Sequence, residues 1–376
     1  MAGIYIHVPF CRKICSYCDF YKTTVVSIIP QYLKAITNEL ELRRSYLQGE
    51  RINTIYFGGG TPSLLAPEQI HQIIEKIRLL HTVSDRCEIT LEANPDDLTL
   101  SYLENLKNDT LVNRISIGIQ SFTDSDLVLL NRRHNSGQAI DSIHNARKSG
   151  FENISIDLIY GIPGMDIRRW RSNLKLAFSF EIKHLSAYHL SIEPGTALSR
   201  MAGRGLLNIT DENESTRQFY TLSEMAIKYK FVHYEISNLA KAGYFSQHNS
   251  NYWHQQSYMG IGPSAHSFNI VSRQWNIAHV KDYINAIVHG NCFFETEEMD
   301  SIKRYNEYLM VSLRTSHGVD LNVIQREYGE KALMDFNSAI QSLKLSGHLI
   351  QEDKICRLTA KGWLISDYIL SGLMIV

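Results

Sequence analysis

The sequence lacks an excess of charge of either sign. Its 38 lysines and arginines stand against 39 aspartates and glutamates, a net charge of −1, which gives no electrostatic case for binding nucleic acid. Long apolar runs are also missing, and no window approaches the ~18 consecutive apolar residues of a membrane span. The Met-Ala-Gly-Ile start has no basic stretch leading into an apolar one, so no secretory signal is expected and the chain reads as cytoplasmic. Cysteine is scarce, six in 376 residues, and too unevenly placed for a disulfide framework. A reducing compartment keeps such thiols available as ligands. No low-complexity tract interrupts the chain, and no repeat is shorter than a strand–helix unit. The length suffices for a large core, with one main domain and a smaller one.

What is present is concentrated near the start. Cys11, Cys15 and Cys18 fall within eight residues, after Tyr5-Ile-His7-Val-Pro9-Phe10, and the next cysteine is Cys87. Thiolates are soft ligands that select zinc, copper(I) or iron–sulfur clusters. A structural zinc site or an ordinary ferredoxin cluster is closed by four protein ligands. Three thiolates on a four-iron cluster would leave one iron open to an exogenous ligand. The competing reading is a zinc knuckle completed by His7. Cys87, Cys292 and Cys356 stand apart among apolar neighbours and read as small buried side chains.

Strand and helix signals then alternate. Residues 3–8, 52–57, 87–91, 113–119, 153–159 and 184–192 are short, apolar and β-rich. Residues 30–47 read as a helix, and so does the stretch after Pro67, with Ile70, Ile73, Ile74 and Ile77 on one face. This βαβα order predicts an α/β fold with a parallel sheet. Polar residues and glycines gather where strands end, which is where β/α barrels build their sites. An open doubly wound sheet would show the same alternation.

Several strand-end residues suit a nucleotide-like ligand. Gly58, Gly59 and Gly60 let the backbone approach it closely. Glu92 can accept hydrogen bonds from ribose hydroxyls, as acidic residues do in nucleotide sites. Gln120 offers both a donor and an acceptor, and Arg132 a planar fork for a carboxylate. Asp157 would be costly to bury unpartnered in an apolar strand, so a polar site is expected around it.

Further on, residues 213–230 read as a helix and 231–236 as a strand. His248-Asn249-Ser-Asn-Tyr252-Trp253 follows, placing an imidazole, a haem ligand type, beside large aromatics. A hydrogen-bonded structural histidine is the competing reading there. Helices are expected at 302–314, 320–328 and 330–345, then a hairpin over 349–358 and a last helix through Leu364 and Ile369. The expected domains are 1–240, a connecting segment 241–297, and 298–376.

The Cys-x3-Cys-x2-Cys spacing resembles the signature of the radical S-adenosylmethionine (SAM) superfamily. More closely, motifs running in order from Tyr5 to Gly164 resemble the oxygen-independent coproporphyrinogen III oxidases and their sister group, the HemW haem chaperones. These are Tyr5-Ile-His-Val-Pro-Phe-Cys11, Gly58-Gly-Gly-Thr-Pro-Ser63, Glu92-Ala-Asn-Pro95, Ile117-Gly-Ile-Gln-Ser-Phe122, Asn131-Arg-Arg-His134 and Ile156-Asp-Leu-Ile-Tyr-Gly-Ile-Pro-Gly164. The Gly-rich turn from Tyr258 to His266 is also similar to family sequence near the SAM pocket.

The resemblance implies a partial (β/α)6 barrel with a winged-helix-like C-terminal domain. It implies a 4Fe–4S cluster on Cys11, Cys15 and Cys18. Tyr5, Gly59, Gly60, Thr61, Glu92, Gln120, Arg132 and Asp157 match SAM-contacting positions, for one or two SAM molecules. No residue is given a catalytic role. The His-Asn-x-x-Tyr-Trp segment resembles the motif marking the chaperones, which implies bound haem with His248 or a neighbour in its segment contributing. In the oxidases the cluster motif continues Cys-x-Cys, whereas Cys18 is followed by Asp19-Phe20, and their segment ahead of the first strand is missing here. The chaperone is therefore expected, passing haem to respiratory or other haem-accepting proteins. An electron donor such as flavodoxin or ferredoxin, and transient contact with membrane proteins, belong to the same expectation. The alternatives are the oxidase, which decarboxylates porphyrinogen propionates, and a non-catalytic electron carrier.

Overall fold

The computed structural model describes residues 1–375. Its first half alternates strands β1 (Ala2–Val8), β2 (Ile52–Gly59), β3 (Val83–Ala93), β4 (Arg114–Gln120), β5 (Asn153–Tyr160) and β6 (His184–His189) with helices. The helices are α1 (Ile29–Leu42), α2 (Pro67–Leu80), α3 (Leu100–Asp109), α4 (Asp124–Leu129), α5 (Ser136–Lys148) and α6 (Ile167–Ser179). All six strands pair in parallel and in sequence order. A doubly wound sheet reverses its order at a switch point; here there is no reversal, which excludes that alternative. The sheet is instead an open β/α barrel without closure between β1 and β6.

Alternation along each strand separates two environments. Ile4, Ile6 and Val8 of β1 are fully buried, as are Tyr32, Ile36 and Leu40 of α1, in one continuous core. Helix α2 is a clear instance of the 3.6-residue period, since Ile70, Ile73, Ile74 and Ile77 are all buried. Each such side chain contributes about 1.5–3 kcal/mol of burial. The other strand face, with Tyr5, His7, Tyr56 and Glu92, lines the barrel interior.

Past β6 come α7 (Ala197–Gly203), α8 (Glu212–Lys228), β7 (Val232–His233), β8 (Asn238–Ala240), α9 (Gln247–Trp253) and β9 (Tyr258–Ile261). Then follow β10 (His266–Phe268), β11 (Ser272–Asn276), α10 (Val280–His289) and β12 (Phe294–Glu298). The segment 241–297 is not a mere connector. Strand β9 pairs in parallel with β1, and β10 to β12 extend the same sheet antiparallel to a total of twelve strands. The expected strand at 231–236 shrinks to the two residues of β7 at the far edge.

A buried charge network absent from the sequence reading fastens this extension. Arg43, at the end of α1, donates to the Gly260 carbonyl at 2.8 Å and to Ser267 at 2.9 Å. Its partner Glu39 accepts from the Gly262 amide at 2.8 Å and from Asn276 at 2.7 Å. Burial holds the Glu39 carboxyl above its ordinary value, and the Arg43 charge offsets part of that rise.

The C-terminal part holds α11 (Ser301–Leu313), β13 (Val319–Asp320), α12 (Leu321–Ala339), α13 (Gln341–Leu345), β14 (Leu349–Glu352), β15 (Ile355–Leu358), α14 (Ala360–Trp363) and α15 (Ser366–Leu373). Gly329, at φ 89°, kinks α12 at the break expected between two helices. The hairpin gains a third strand in β13. Trp363 donates to the Leu313 carbonyl at 3.1 Å within this winged-helix-like unit. One cysteine departs from expectation: Cys87 and Cys356 are buried, but Cys292 is exposed. No helix among the described residues is long and apolar enough to cross a membrane.

Candidate cofactor site

Strand β1 delivers the chain into the cysteine loop, and backbone hydrogen bonds fix that loop from several sides. The Cys11 amide donates to Thr23 at 2.9 Å, Ser16 to Leu130 at 3.1 Å, and Leu198 to the Ser16 carbonyl at 2.8 Å. Asn131 donates to the Ile14 carbonyl at 2.7 Å. The loop thus depends on contacts with residues more than a hundred positions away.

Beside it, the glycine turn after β2 packs against the same backbone. The Gly60 amide donates to the Val8 carbonyl at 2.8 Å. A Cβ on Gly60 would lie 2.8 Å from the Phe10 carbonyl oxygen and 2.9 Å from that of Val8. Gly59 adopts φ +107°, where a Cβ would meet the His7 ring at 2.7 Å. Both glycines are therefore required first by the approach of two loops.

Cys11, Cys15 and Cys18 open onto one cavity of about 530 Å³, together with Gly59, Gly60, Thr61, Glu92, Gln120, Arg132 and Asp157. Among the described residues no three His, Cys, Asp or Glu side chains converge on a single metal ion. The sulfurs line a shared space, which suits a cluster whose thiolates sit on separate irons and disfavours the zinc knuckle. Burial raises the Cys11 and Cys18 thiols, so binding iron there would release protons.

Around the sulfurs the polar groups are already oriented. Thr61 donates to the Cys11 sulfur at 3.5 Å. Arg132 is not a free fork: one nitrogen donates to Cys15 at 3.3 Å and the other to Asn94 and Gly118 at 2.6 and 2.7 Å. Its Nε remains buried without a partner. Glu92 accepts from the Tyr56 hydroxyl at 2.7 Å and from the Gly59 amide at 3.2 Å. Burial, helped by the Asp157 charge, raises its carboxyl to about 7. Asp157 accepts from Ser116 at 3.3 Å, and burial raises it too. Gln120 sits at the end of β4 with φ +65°, a conformation uncommon for residues other than glycine and found at ligand sites.

Two expected site residues lie elsewhere. Tyr5 opens onto a second cavity, of about 370 Å³, and its hydroxyl lies 3.2 Å from His7 Nδ1. His248 lines neither cavity and is only 1% exposed. Its Nδ1 lies 2.7 Å from Thr54 Oγ1 and its Nε2 2.8 Å from the Tyr252 hydroxyl. Both nitrogens are engaged, so in this arrangement His248 has none to offer a haem iron. Helix α9 packs this face of the motif inward. The His248 ring stacks on Tyr56 at 5.0 Å, while the Gln247 and His248 amides donate to the buried Glu88.

Tyr188 and His189, on β6, also line the first cavity and were not singled out from the sequence. The strand-end rule that found Glu92 and Gln120 would have reached them. Strand β6 stops at His189 although the apolar pattern runs on to Ile192.

Residues 5–177 match the model of the Radical SAM superfamily, and residues 299–365 that of the HemN C-terminal domain. Over 377 residues the chain is 33% identical to the heme chaperone HemW of Bacillus subtilis (strain 168), covering 100% of this chain and 99% of the relative. To the heme chaperone HemW of Mycobacterium tuberculosis (strain ATCC 25618 / H37Rv) it is 30% identical over 382 residues, covering 99% and 94%. Among solved structures, the radical SAM enzyme coproporphyrinogen III oxidase (HemN) from Escherichia coli superposes with a TM-score of 0.85 at 21% identity, over 99% of this chain and 90% of that one. That last likeness is one of fold. With full-length identity to the chaperones and the cysteine loop in place, the chain belongs to the HemW family of the radical SAM superfamily.

Proposed function

We propose that the chain is a haem chaperone that holds a 4Fe–4S cluster on Cys11, Cys15 and Cys18, binds SAM beside it, and carries haem to haem-accepting proteins. The observation that carries the cofactor part is the meeting of three cysteines, Glu92, Gln120 and Asp157 in one cavity. The haem part rests on relatives that bear the chaperone's name along their whole length. When bound, the cluster supplies an open iron and one electron to the site.

The chain's own residues have definable tasks there. Tyr56 and the Gly59 amide aim Glu92 into the cavity, where an ionised carboxylate accepts hydrogen bonds from ribose hydroxyls. Arg132 donates to the Cys15 sulfur and steadies its thiolate charge. Thr61 does the same more weakly at Cys11. Ser116 holds Asp157 toward the ligand space. A donor such as flavodoxin or ferredoxin would deliver the electron. The acceptors would be respiratory or other haem proteins, some of them membrane proteins contacted transiently.

The test is anaerobic reconstitution followed by parallel incubation with haem and with coproporphyrinogen. The expected outcome is about four iron atoms per chain, lost on Cys→Ala at any of the three positions, with haem bound and coproporphyrinogen unchanged. Vinyl-bearing product formed in step with SAM consumption would replace the chaperone by the oxidase.

A further inference from the structure

The cysteine loop also has an exposed side. Arg12, Lys13 and Ile14, threaded between Cys11 and Cys15, are all exposed, and the three cysteines beside them are partly so. Thr23 returns to the loop, where its carbonyl accepts from the Cys11 amide at 2.9 Å and its amide donates to the Pro9 carbonyl at 2.8 Å. Val25 and Val26 follow it directly. Phe20 is 68% exposed, Ile14 44%, and Val25 and Val26 42% each. Large apolar side chains exposed so close together mark a contact surface.

Charge on the same stretch is one-sided. From Cys11 to Val26, Arg12, Lys13 and Lys22 stand against Asp19 alone, in a chain whose net charge is −1. None of the three cations has an acidic partner among the described residues. Lys13 reaches the Arg132 carbonyl at 3.4 Å, and Lys22 donates to the Cys18 carbonyl. Both acceptors are neutral, so the charges stand uncompensated. A patch of this kind steers an anionic partner and fixes its orientation.

The patch also lies against the sulfurs. Arg12 follows Cys11 in the chain, and Phe20, two residues past Cys18, lines the cysteine-bearing cavity. A protein resting here is one loop's thickness from the cluster ligands. We infer that the exposed face of residues 12–26 is the docking surface for a small acidic protein that carries one electron to the cluster. The inference rests on the cofactor reading proposed above and adds to it the place and the charge of the partner. One electron leaves the carrier and enters the cluster, and no bond of this chain forms or breaks. A short, charged surface with an apolar centre fits a transient electron-transfer encounter rather than a lasting complex.

The experiment reconstitutes the full chain anaerobically and offers it reduced flavodoxin, as the acidic carrier, or photoreduced deazariboflavin, as a small uncharged reductant. The rate of cluster bleaching and the affinity for oxidised flavodoxin are read for wild type, Arg12→Glu, Val26→Asp and Lys331→Glu. Lys331 is exposed on α12 and controls for total charge. Arg12→Glu and Val26→Asp should each lower the flavodoxin rate and affinity about tenfold at low salt, the Arg12 effect shrinking at high salt. Iron content, the deazariboflavin rate and both Lys331→Glu values should stay at wild type. Equal slowing with deazariboflavin, or an equal loss in Lys331→Glu, overturns the docking surface, as does wild-type flavodoxin affinity in both loop variants. Binding to phosphatidylglycerol vesicles but not to flavodoxin overturns the partner. A chain that takes up no iron defeats the cofactor reading first, whereas a loaded chain reduced by deazariboflavin and not by flavodoxin defeats the docking inference alone.

Discussion

Tyr56 and His248 lie face to face, ring centres 5.0 Å apart and 25° from parallel, and the same Tyr56 donates its hydroxyl to Glu92. The His248 segment therefore stands beneath the cysteine-lined cavity, one residue removed from Glu92. It supports the position of Tyr56 and closes the barrel interior.

His248→Ala should accordingly leave the haem Soret band unchanged. Thr54 and Tyr252 would each lose a buried partner, costing about 2–4 kcal/mol of stability. SAM affinity should fall several-fold as Tyr56 loosens. Denaturant titration and SAM binding by equilibrium dialysis measure both; a shifted Soret band with normal SAM binding contradicts this account.

Gly60→Ala should damage the loop itself. The added methyl meets three backbone atoms at 2.8 to 2.9 Å, which cannot swing aside as a side chain would. Overpacking of this sort destabilises by about 1–3 kcal/mol. Iron content after reconstitution should drop along with the denaturation midpoint. Weakened SAM binding with full iron and full stability would instead make Gly60 purely a ligand-contact residue.

Glu92 predicts a pH dependence. Its folded pKa of about 7 lies above the ordinary value of 4.5 because of burial. The neutral form therefore favours folding, and that contribution is fully present below about 4.5 and lost as pH rises through about 7. A rise from 4.5 to about 7 corresponds to a loss of about 3 kcal/mol at most. SAM affinity should move the other way, strengthening as the carboxylate ionises and becomes an acceptor. Glu92→Gln should flatten both curves in the metal-free chain; pH profiles matching wild type would exclude Glu92 as their source.

Arg43→Ala should release the sheet extension from α1. Removing it leaves Glu39 buried and without its counter-charge, a change that typically costs 3–5 kcal/mol. Hydrogen exchange at Gly260 and Gly262, whose backbone groups are part of the network, should rise most. Uniform exchange across the chain would show that the extension does not loosen separately.

The sequence by itself put Cys11, Cys15 and Cys18 forward as a ligand set through their close spacing, whereas the loop that carries them is held by distant residues such as Leu130, Asn131 and Leu198. It determined the parallel α/β architecture through the alternation of period-2 and period-3.6 segments, and it brought Glu92, Gln120 and Asp157 forward as polar residues at strand ends. The strand order, and with it the open barrel over a doubly wound sheet, was decided by pairing between distant segments. So were the roles of individual nitrogens. Arg132 reads as a free fork until the fold brings it to Cys15, 117 positions away. His248 reads equally as a ligand type or as a structural histidine, and only the fold brings Thr54, 194 positions away, to its Nδ1. Residue type and local spacing state what a side chain can bind; only tertiary packing decides which partners reach it first, because hydrogen bonds form at about 3 Å between groups that the chain order leaves unrelated.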